Sequence, residues 1–426
     1  MGLVVVVFLI LLFLGMPVAF SIAISGTTFF LTNPNLPLSI VVQRAFSTTQ
    51  SFTMLAIPLF IFAGNLMNNT GITVRLIKLA NVLAGHMYGS MGQVSVLLST
   101  MMGGVSGSAV ADAAMQSRIL GPEMTKRGYP RGYTAALNGL TAMIVATLPP
   151  SMGLIIFGSV GEVSIGRLFA GGIMPGFILM IAFMIAVAIT SRRHGLLPEK
   201  DKPSSLMDIF ICLKECIWAL IFPLLLIVFI RFGIMTPSES GAFAVFYALF
   251  VGIFVYKELT FQKFLKTLAD STKDIAIITM VIAFSGIFGF GIVVDRVPQA
   301  IVGTFLDLTG NPVVMFAIIL IFIAAIGMFM ESTVVVLLLT PILLPVATSV
   351  GIDPVHFGVV MMTVVTTGIM TPPVGVALFA VSSIMECSVE ETLRHSGPFF
   401  LALITTVIIM VLFPQVVLFL PNLIYG

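Results

Sequence analysis

The chain has 426 residues, 58% of them hydrophobic and 9% charged, with a net charge of +2 and a mean hydropathy of +1.16. A soluble domain carries roughly 25% charge, so this composition excludes an ordinary soluble protein and places the chain in a bilayer. The small net charge, with no basic arm, offers nothing to nucleic acid, and the absence of alternating strand patterns argues against a barrel.

Apolar runs recur along the whole length and predict an all-α polytopic membrane protein. The opening "MGLVVVVFLILLFLGMPVAF" lacks the positive start and cleavage site of a signal peptide and reads as mature helix. In the first half (1–190), crossings are expected near 3–14, 17–31 and 52–68, then a broken one over 132–158, then 168–190. The most polar stretch, "SRRHGLLPEKDKPSS" at 191–205, reads as an aqueous linker, here bounded at 191–211. In the second half (212–426), crossings are expected near 212–231, 237–256 and 275–294, a broken one over 355–385, and 398–420. Two amphipathic segments, 37–50 and 259–273, precede equivalent crossings and read as interfacial helices bracing a frame. Cys212, Cys216 and Cys387 have no disulfide or metal spacing, and the four histidines are scattered.

A shift of 223 positions lays Gly104 on Gly327, Pro122 on Pro345, Gly128 on Gly351 and Pro149-Pro150 on Pro372-Pro373. The halves are therefore expected to be repeats. Five crossings per half would turn the second repeat upside down relative to the first. With the linker cytoplasmic and both termini periplasmic, Lys and Arg gather on the cytoplasmic side, leaving Arg44, Arg167, Arg231 and Arg296 outside.

Residues 91–122 are apolar but split at "GGVSGS" and closed by Gly121-Pro122; residues 313–346 are split at "GMFMEST" and closed by Pro345. Each is long enough to enter the membrane and return, so two re-entrant hairpins are expected, from opposite faces. Irregular backbone at membrane depth is tolerated only against protein or an aqueous cavity. The next crossings are broken at "TLPPSMG" and "MTPPVG", where proline frees carbonyls. A hairpin tip facing a broken helix offers carbonyls and hydroxyls to Na⁺ and helix N-termini to a carboxylate. Ser106 and Ser108 could supply oxygens or cap the returning helix. Asp112 and Glu331 are intramembrane carboxylates, candidates either for ligation or for helix-end hydrogen bonding. Asn138, Thr141, Ser151, Ser332, Thr366 and Thr367 could line a substrate cavity, the threonines equally by back-bonding to their own helix.

The chain resembles, over essentially its whole length, the large membrane subunit of tripartite ATP-independent periplasmic (TRAP) transporters. The resemblance rests on "TMLAIPLFIFAGNLMNNTGI", "GGVSGSAVADAAMQSRILGPEM", "LPPSMGLIIFGSVGEVSIGRLFAGGIMPG", "TPSESGAFAVFYAL" and "TPPVGVALFAV" taken together. It implies Na⁺-driven uptake of a small organic acid, such as sialic acid or a C4-dicarboxylate, across the bacterial inner membrane. It also implies a periplasmic binding protein that delivers the acid, a separate small four-helix membrane subunit, and an elevator mechanism. Scaffold helices would lie at 1–70 and 212–294, with the moving hairpins and broken helices at 90–158 and 313–385. The sodium residues so implied are Gly104, Ser106, Ser108, Pro149, Pro150, Gly327, Glu331, Thr371 and Pro372, with no organic cofactor and no transition metal. Asn65 stands where many members carry an acid, and Ser238-Glu239-Ser240 where many carry Thr-Glu-Ala. The alternative is a stand-alone divalent-anion/Na⁺ symporter. No nucleophile–base pair or metal motif supports an enzyme, and no GxxxxGK[ST] pattern supports ATP use.

Overall fold

This computed structural model describes residues 2–297, 299–300 and 311–426, and every regular element among them is helical. The first half holds α1 (Gly2–Phe13), α2 (Val18–Thr32), α3 (Ser39–Thr49), α4 (Ala56–Asn68) and α5 (Ile72–Ala84). These are followed by α6 (Ser90–Gly103), α7 (Ala109–Ile119), α8 (Gly121–Lys126), α9 (Arg131–Thr141), α10 (Met143–Thr147), α11 (Met152–Val160) and α12 (Ile165–Arg193). The second half holds α13 (Leu206–Arg231), α14 (Pro237–Phe250), α15 (Phe261–Val294), α16 (Pro312–Gly327), α17 (Ser332–Ser349), α18 (Pro354–Thr367), α19 (Val376–Ile384), α20 (Val389–Leu412) and α21 (Gln415–Tyr425).

The 223-residue offset holds element by element in the latter part of each half. It carries α6 onto α16, α7 with α8 onto α17, α9 with α10 onto α18, α11 onto α19 and α12 onto α20, with ends agreeing to within about a turn except at the C-terminus of α20. Both helix pairs expected to form hairpins are present, interrupted at 104–108 and 328–331, and both broken helices break where the prolines stand.

Four expectations need correction. Residues 261–294 form one helix rather than an interfacial segment plus a crossing, because no proline or glycine interrupts 270–275. Its counterpart in the first half does bend, by 59° between 39–49 and 52–68. There Pro58 cannot donate to the carbonyl of Met54, and a 3-10 turn, Phe52–Leu55, takes the place of α-helix. The crossing assigned to 398–420 ends at Leu412; Phe413, before Pro414, leaves the helical region (φ −122°, ψ 78°), and α21 follows. Pro345 does not close the second hairpin but lies inside α17, which runs on to Ser349. The helix α5 was not expected; at 13 residues it is about 20 Å long, too short to register as a crossing.

Among the described residues, six helices are long and apolar enough to cross a bilayer singly, and two bent pairs add to them. The lipid-facing side is written in the exposed residues: Phe177, Ile181, Ile185 and Ile189 of α12, spaced every four residues, are 48–55% exposed. The centre belongs to the broken helices. All residues from 132 to 151 and from 355 to 366 are buried.

These two segments pack against one another in opposite directions. A Cβ on Gly139 would collide with the Met370 side chain, the Thr147 and Thr363 hydroxyls lie 3.3 Å apart, and the Phe157 and Phe357 rings are 6.1 Å apart. Residue numbers rise on one side as they fall on the other, so α9–α11 runs antiparallel to its own equivalent. Around this pair α2, α3, α4, α14 and α15 pack largely on each other, with α5 joined to α13.

Candidate functional site: two hairpin tips on two broken helices

Each tip is seated on the break of its own half. In the first, Gly107 adopts φ +62°, and a Cβ there would lie 2.6 Å from the Pro150 carbonyl oxygen. In the second, the amides of Val374 and Gly375 donate to the Met328 carbonyl at 3.2 and 3.4 Å, and Gly375 is left-handed at φ +44°. Gly327 and Gly368 meet backbone to backbone, and a Cβ on Gly327 would stand 2.9 Å from the Val365 carbonyl. Glycine is needed at these approaches because any side chain would hold the backbones apart. Both breaks carry a cis proline peptide, Pro149-Pro150 and Pro372-Pro373.

The two tips differ in cover. Over the first, the carbonyls of Val105 and Ser106 press on Gly64 of α4, where a Cβ would be 3.4 and 3.2 Å away. Pro223 of α13 closes on Gly104, leaving 2.7 Å for a Cβ. Pro149, Pro150 and Ser151 are buried, whereas Pro372, Pro373 and Val374 are exposed. The Phe13 ring at the end of α1 meets Phe329 of the second tip at 6.1 Å, edge-on.

The side chains expected to bind ions, and several of those expected to line the substrate cavity, mostly organise the turns. Ser108 caps α7, accepting from the Ala111 amide at 3.4 Å, and Ser106 accepts from the Ser108 amide at 3.4 Å. Glu331 caps α17: one oxygen accepts from the Thr333 amide at 2.8 Å, the other from the Ser332 and Thr333 hydroxyls at 3.0 and 2.9 Å. Ser151 donates to the Ala146 carbonyl at 2.5 Å, a carbonyl without an ordinary helical partner because the helix breaks there. Thr366, Thr367 and Thr371 donate to the carbonyls of Met362, Thr363 and Thr367, four residues back. A hydroxyl that donates in this way keeps its lone pairs.

Asp112, Asn138 and Thr141 do come together, in a buried network that also includes three residues the sequence reading missed. Ser99 donates to Asp112 Oδ2 at 2.8 Å, and Gln116 Nε2 donates to the same oxygen at 2.7 Å. Ser95 Oγ lies 2.6 Å from Gln116 Oε1, 2.9 Å from Asn138 Oδ1 and 3.2 Å from the Thr141 hydroxyl. Asp112 Oδ1 and Asn138 Nδ2 are buried without a protein partner. The missed signal was spacing: Ser95/Ser99 and Asp112/Gln116 are both i, i+4 pairs, on the facing arms of one hairpin. Ser332, Thr366 and Thr367 belong instead to the second tip and its broken helix, and Ser151 to the first break; none is hydrogen-bonded to this network, so the expected substrate set is divided among three places. Asn65, on α4, donates to Ser271 Oγ and Asp274 Oδ2 of α15, each at 3.1 Å, which ties these two helices together.

A likeness to the YdaH transporter of Alcanivorax borkumensis identifies the class of fold. The two align with a TM-score of 0.64 over 89% of each chain, at 13% identity. Residues 5–416 match the model of the family described as tripartite ATP-independent periplasmic transporter, DctM component. The chain is 35% identical over 418 residues to the sialic acid TRAP transporter large permease protein SiaM of Vibrio cholerae, covering 98% of this chain and 97% of that protein. It is 32% identical over 405 residues to the 2,3-diketo-L-gulonate TRAP transporter large permease protein YiaN of Escherichia coli, covering 95% of each. The chain belongs to the DctM family of TRAP transporter large permeases.

Proposed function

We propose that this permease takes up a small organic acid across the bacterial inner membrane by symport with Na⁺, receiving the acid from a periplasmic binding protein and working beside a small four-helix membrane subunit. The observation that carries the reading is the seating of each hairpin tip on a proline-broken helix, at Gly107–Pro150 and Met328–Val374. Such junctions gather backbone oxygens and helix ends within the membrane, the chemistry that suits a desolvated cation and a carboxylate. In this reading the first sodium site is framed by Gly104, Ser106, Ser108, Pro149 and Pro150, and the second by Gly327, Glu331, Thr371 and Pro372. The antiparallel pairing of α9–α11 with α18–α19 supports inverted repeats, and with them an elevator in which the hairpins and broken helices slide against α1–α5 and α13–α15.

Acids named for SiaM and YiaN are a sialic acid and a keto sugar acid, so the substrate class is a carboxylate of modest size. A monoanion moving with two Na⁺ carries one positive charge inward, and the membrane potential contributes ~2.3 kcal/mol per 100 mV. The test is uptake of labelled N-acetylneuraminate and succinate into vesicles holding this chain and its small subunit, with and without the binding protein and an inward Na⁺ gradient. Uptake needing both supports the proposal. Robust uptake by this chain alone returns it to a stand-alone symporter, and flux indifferent to Na⁺ removes the coupling.

A further inference from the structure

A cavity of about 420 Å³ opens at the charged end of the first hairpin, lined by Ser117 and Arg118 of α7, Thr125 of α8, Arg131 of α9, and Met385 and Glu386 beyond α19. Arg118 is exposed and makes no ion pair among the described residues. The Ser117 hydroxyl beside it is buried and unpartnered. Arg131 holds a carboxylate already, that of Glu386, at 3.1 Å, and Glu386 reaches it from a left-handed backbone at φ +52°. The Glu386 side chain is itself 77% exposed.

Two open stripes lead here from the tips. On α7, Ser108, Ala111, Met115 and Arg118 are spaced three and four apart, Ala111 and Arg118 exposed and Ser108 and Met115 half-buried, so one partly exposed face runs from the first tip to the cavity. On α19, Val376, Phe379, Ser383 and then Glu386 are exposed, a second face running from the second break to the same place. The two helices pack against each other. From Ser108 to Arg118 is about 15 Å along the helix at 1.5 Å per residue. The stripes contain no charge until they reach the cavity.

We propose that this cavity is a carboxylate-binding exit site, in which Arg118 and Arg131 hold the organic acid after it leaves the hairpin tips and Glu386 competes for Arg131 to expel it. The site deepens the uptake reading and rests on it for direction: positive-inside charge places this end in the cytoplasm. A guanidinium presents paired donors that match a carboxylate, and a tethered carboxylate in the same place lowers the affinity of a free one without abolishing it.

The test uses the intact chain with its small subunit in vesicles. Thr125→Cys is introduced at the rim in a Cys387→Ser background, and its labelling by a charged thiol reagent from the cytoplasmic side is timed with succinate or N-acetylneuraminate present, and with glucose as the uncharged control. Either acid is expected to slow labelling about tenfold, glucose to leave it unchanged, Arg118→Gln to abolish the protection, and Glu386→Gln to shift the half-protecting concentration severalfold lower. Equal labelling with and without acid, or protection that survives Arg118→Gln, overturns the site. Glu386→Gln moves affinity the opposite way, so a misfolded Arg118 variant does not decide the matter. Because labelling needs no transport, Na⁺-driven uptake without protection discards the exit site alone. Protection without uptake discards the transport reading alone.

Discussion

Ser99 on the inward arm of the first hairpin donates to Asp112 on the outward arm at 2.8 Å, and Gln116 joins both. The arms are thus held together by a polar cluster buried among apolar neighbours. Replacing Gln116 with Leu removes a donor to Asp112 and the acceptor facing Ser95. Each group left unsatisfied costs about 1–3 kcal/mol. The equilibrium unfolding midpoint in detergent is expected to fall accordingly, and an unchanged midpoint would show that water substitutes for Gln116 at no cost.

Gly107 and Gly128 form a controlled pair. Both are left-handed, at φ +62° and +83°, but a Cβ on Gly107 meets the Pro150 carbonyl at 2.6 Å while one on Gly128 meets nothing within 4 Å. Each alanine substitution costs about 1–2 kcal/mol of backbone strain. Gly107→Ala also pushes tip and break apart, so uptake is expected to lose its Na⁺ dependence there and keep it in Gly128→Ala. Equal behaviour of the two variants, measured as Na⁺ titrations of uptake, would separate the tip from ion coupling.

Ser106→Ala, Ser108→Ala and Thr371→Ala are each expected to weaken the Na⁺ dependence of uptake while the protein still reaches the membrane. Ser108→Ala should also lose helix-cap stability of ~1 kcal/mol. Unchanged Na⁺ curves in all three would leave these hydroxyls only their turn-forming role.

Gly104 and Pro223 provide a lock. A Cβ on Gly104 stands 3.1 Å from Cβ of Pro223, close to the ~3.8 Å of a disulfide after a small shift. Gly104→Cys with Pro223→Cys is expected to arrest uptake when oxidised and recover on reduction. Full cross-linking with undiminished uptake would mean that the first tip and α13 travel as one body.

Arg127 binds Glu199 of the linker at 2.8 Å, and this guanidinium holds the Glu199 carboxyl below its ordinary value of 4.5. A depressed carboxylate contributes stability that is complete above 4.5 and lost as pH falls through the lower folded value. Pepsin nicking of 194–205 is therefore expected to rise below that pH in the wild type. Glu199→Gln should be nicked readily throughout the acid range with no such step; identical profiles would remove the latch.

Much of this architecture was legible because it is written in backbone chemistry. Pro149, Pro150, Pro372 and Pro373 announce where helices break, and Gly104 and Gly327 lie where the hairpins turn. The extent of α15 was not legible, since the polar run at 270–274 marks a change of solvent but contains nothing that ends a helix. Pro414 marks the end of α20, although the apolar run on either side of it reads as one crossing. Ser95, Ser99 and Gln116 escaped notice because they are ordinary helical residues until the hairpin folds and brings its arms face to face.

In the proposed elevator, the opposed course of 131–147 and 354–370 bears on how little work a cycle requires. The two helical segments meet along one seam, at Gly139–Met370 and Thr147–Thr363, so in that cycle sliding that loosens one flank is expected to tighten a near-copy on the opposite flank. Two resting positions built from matching parts would then differ little in cost, and an ion gradient worth a few kcal/mol would be enough to decide between them.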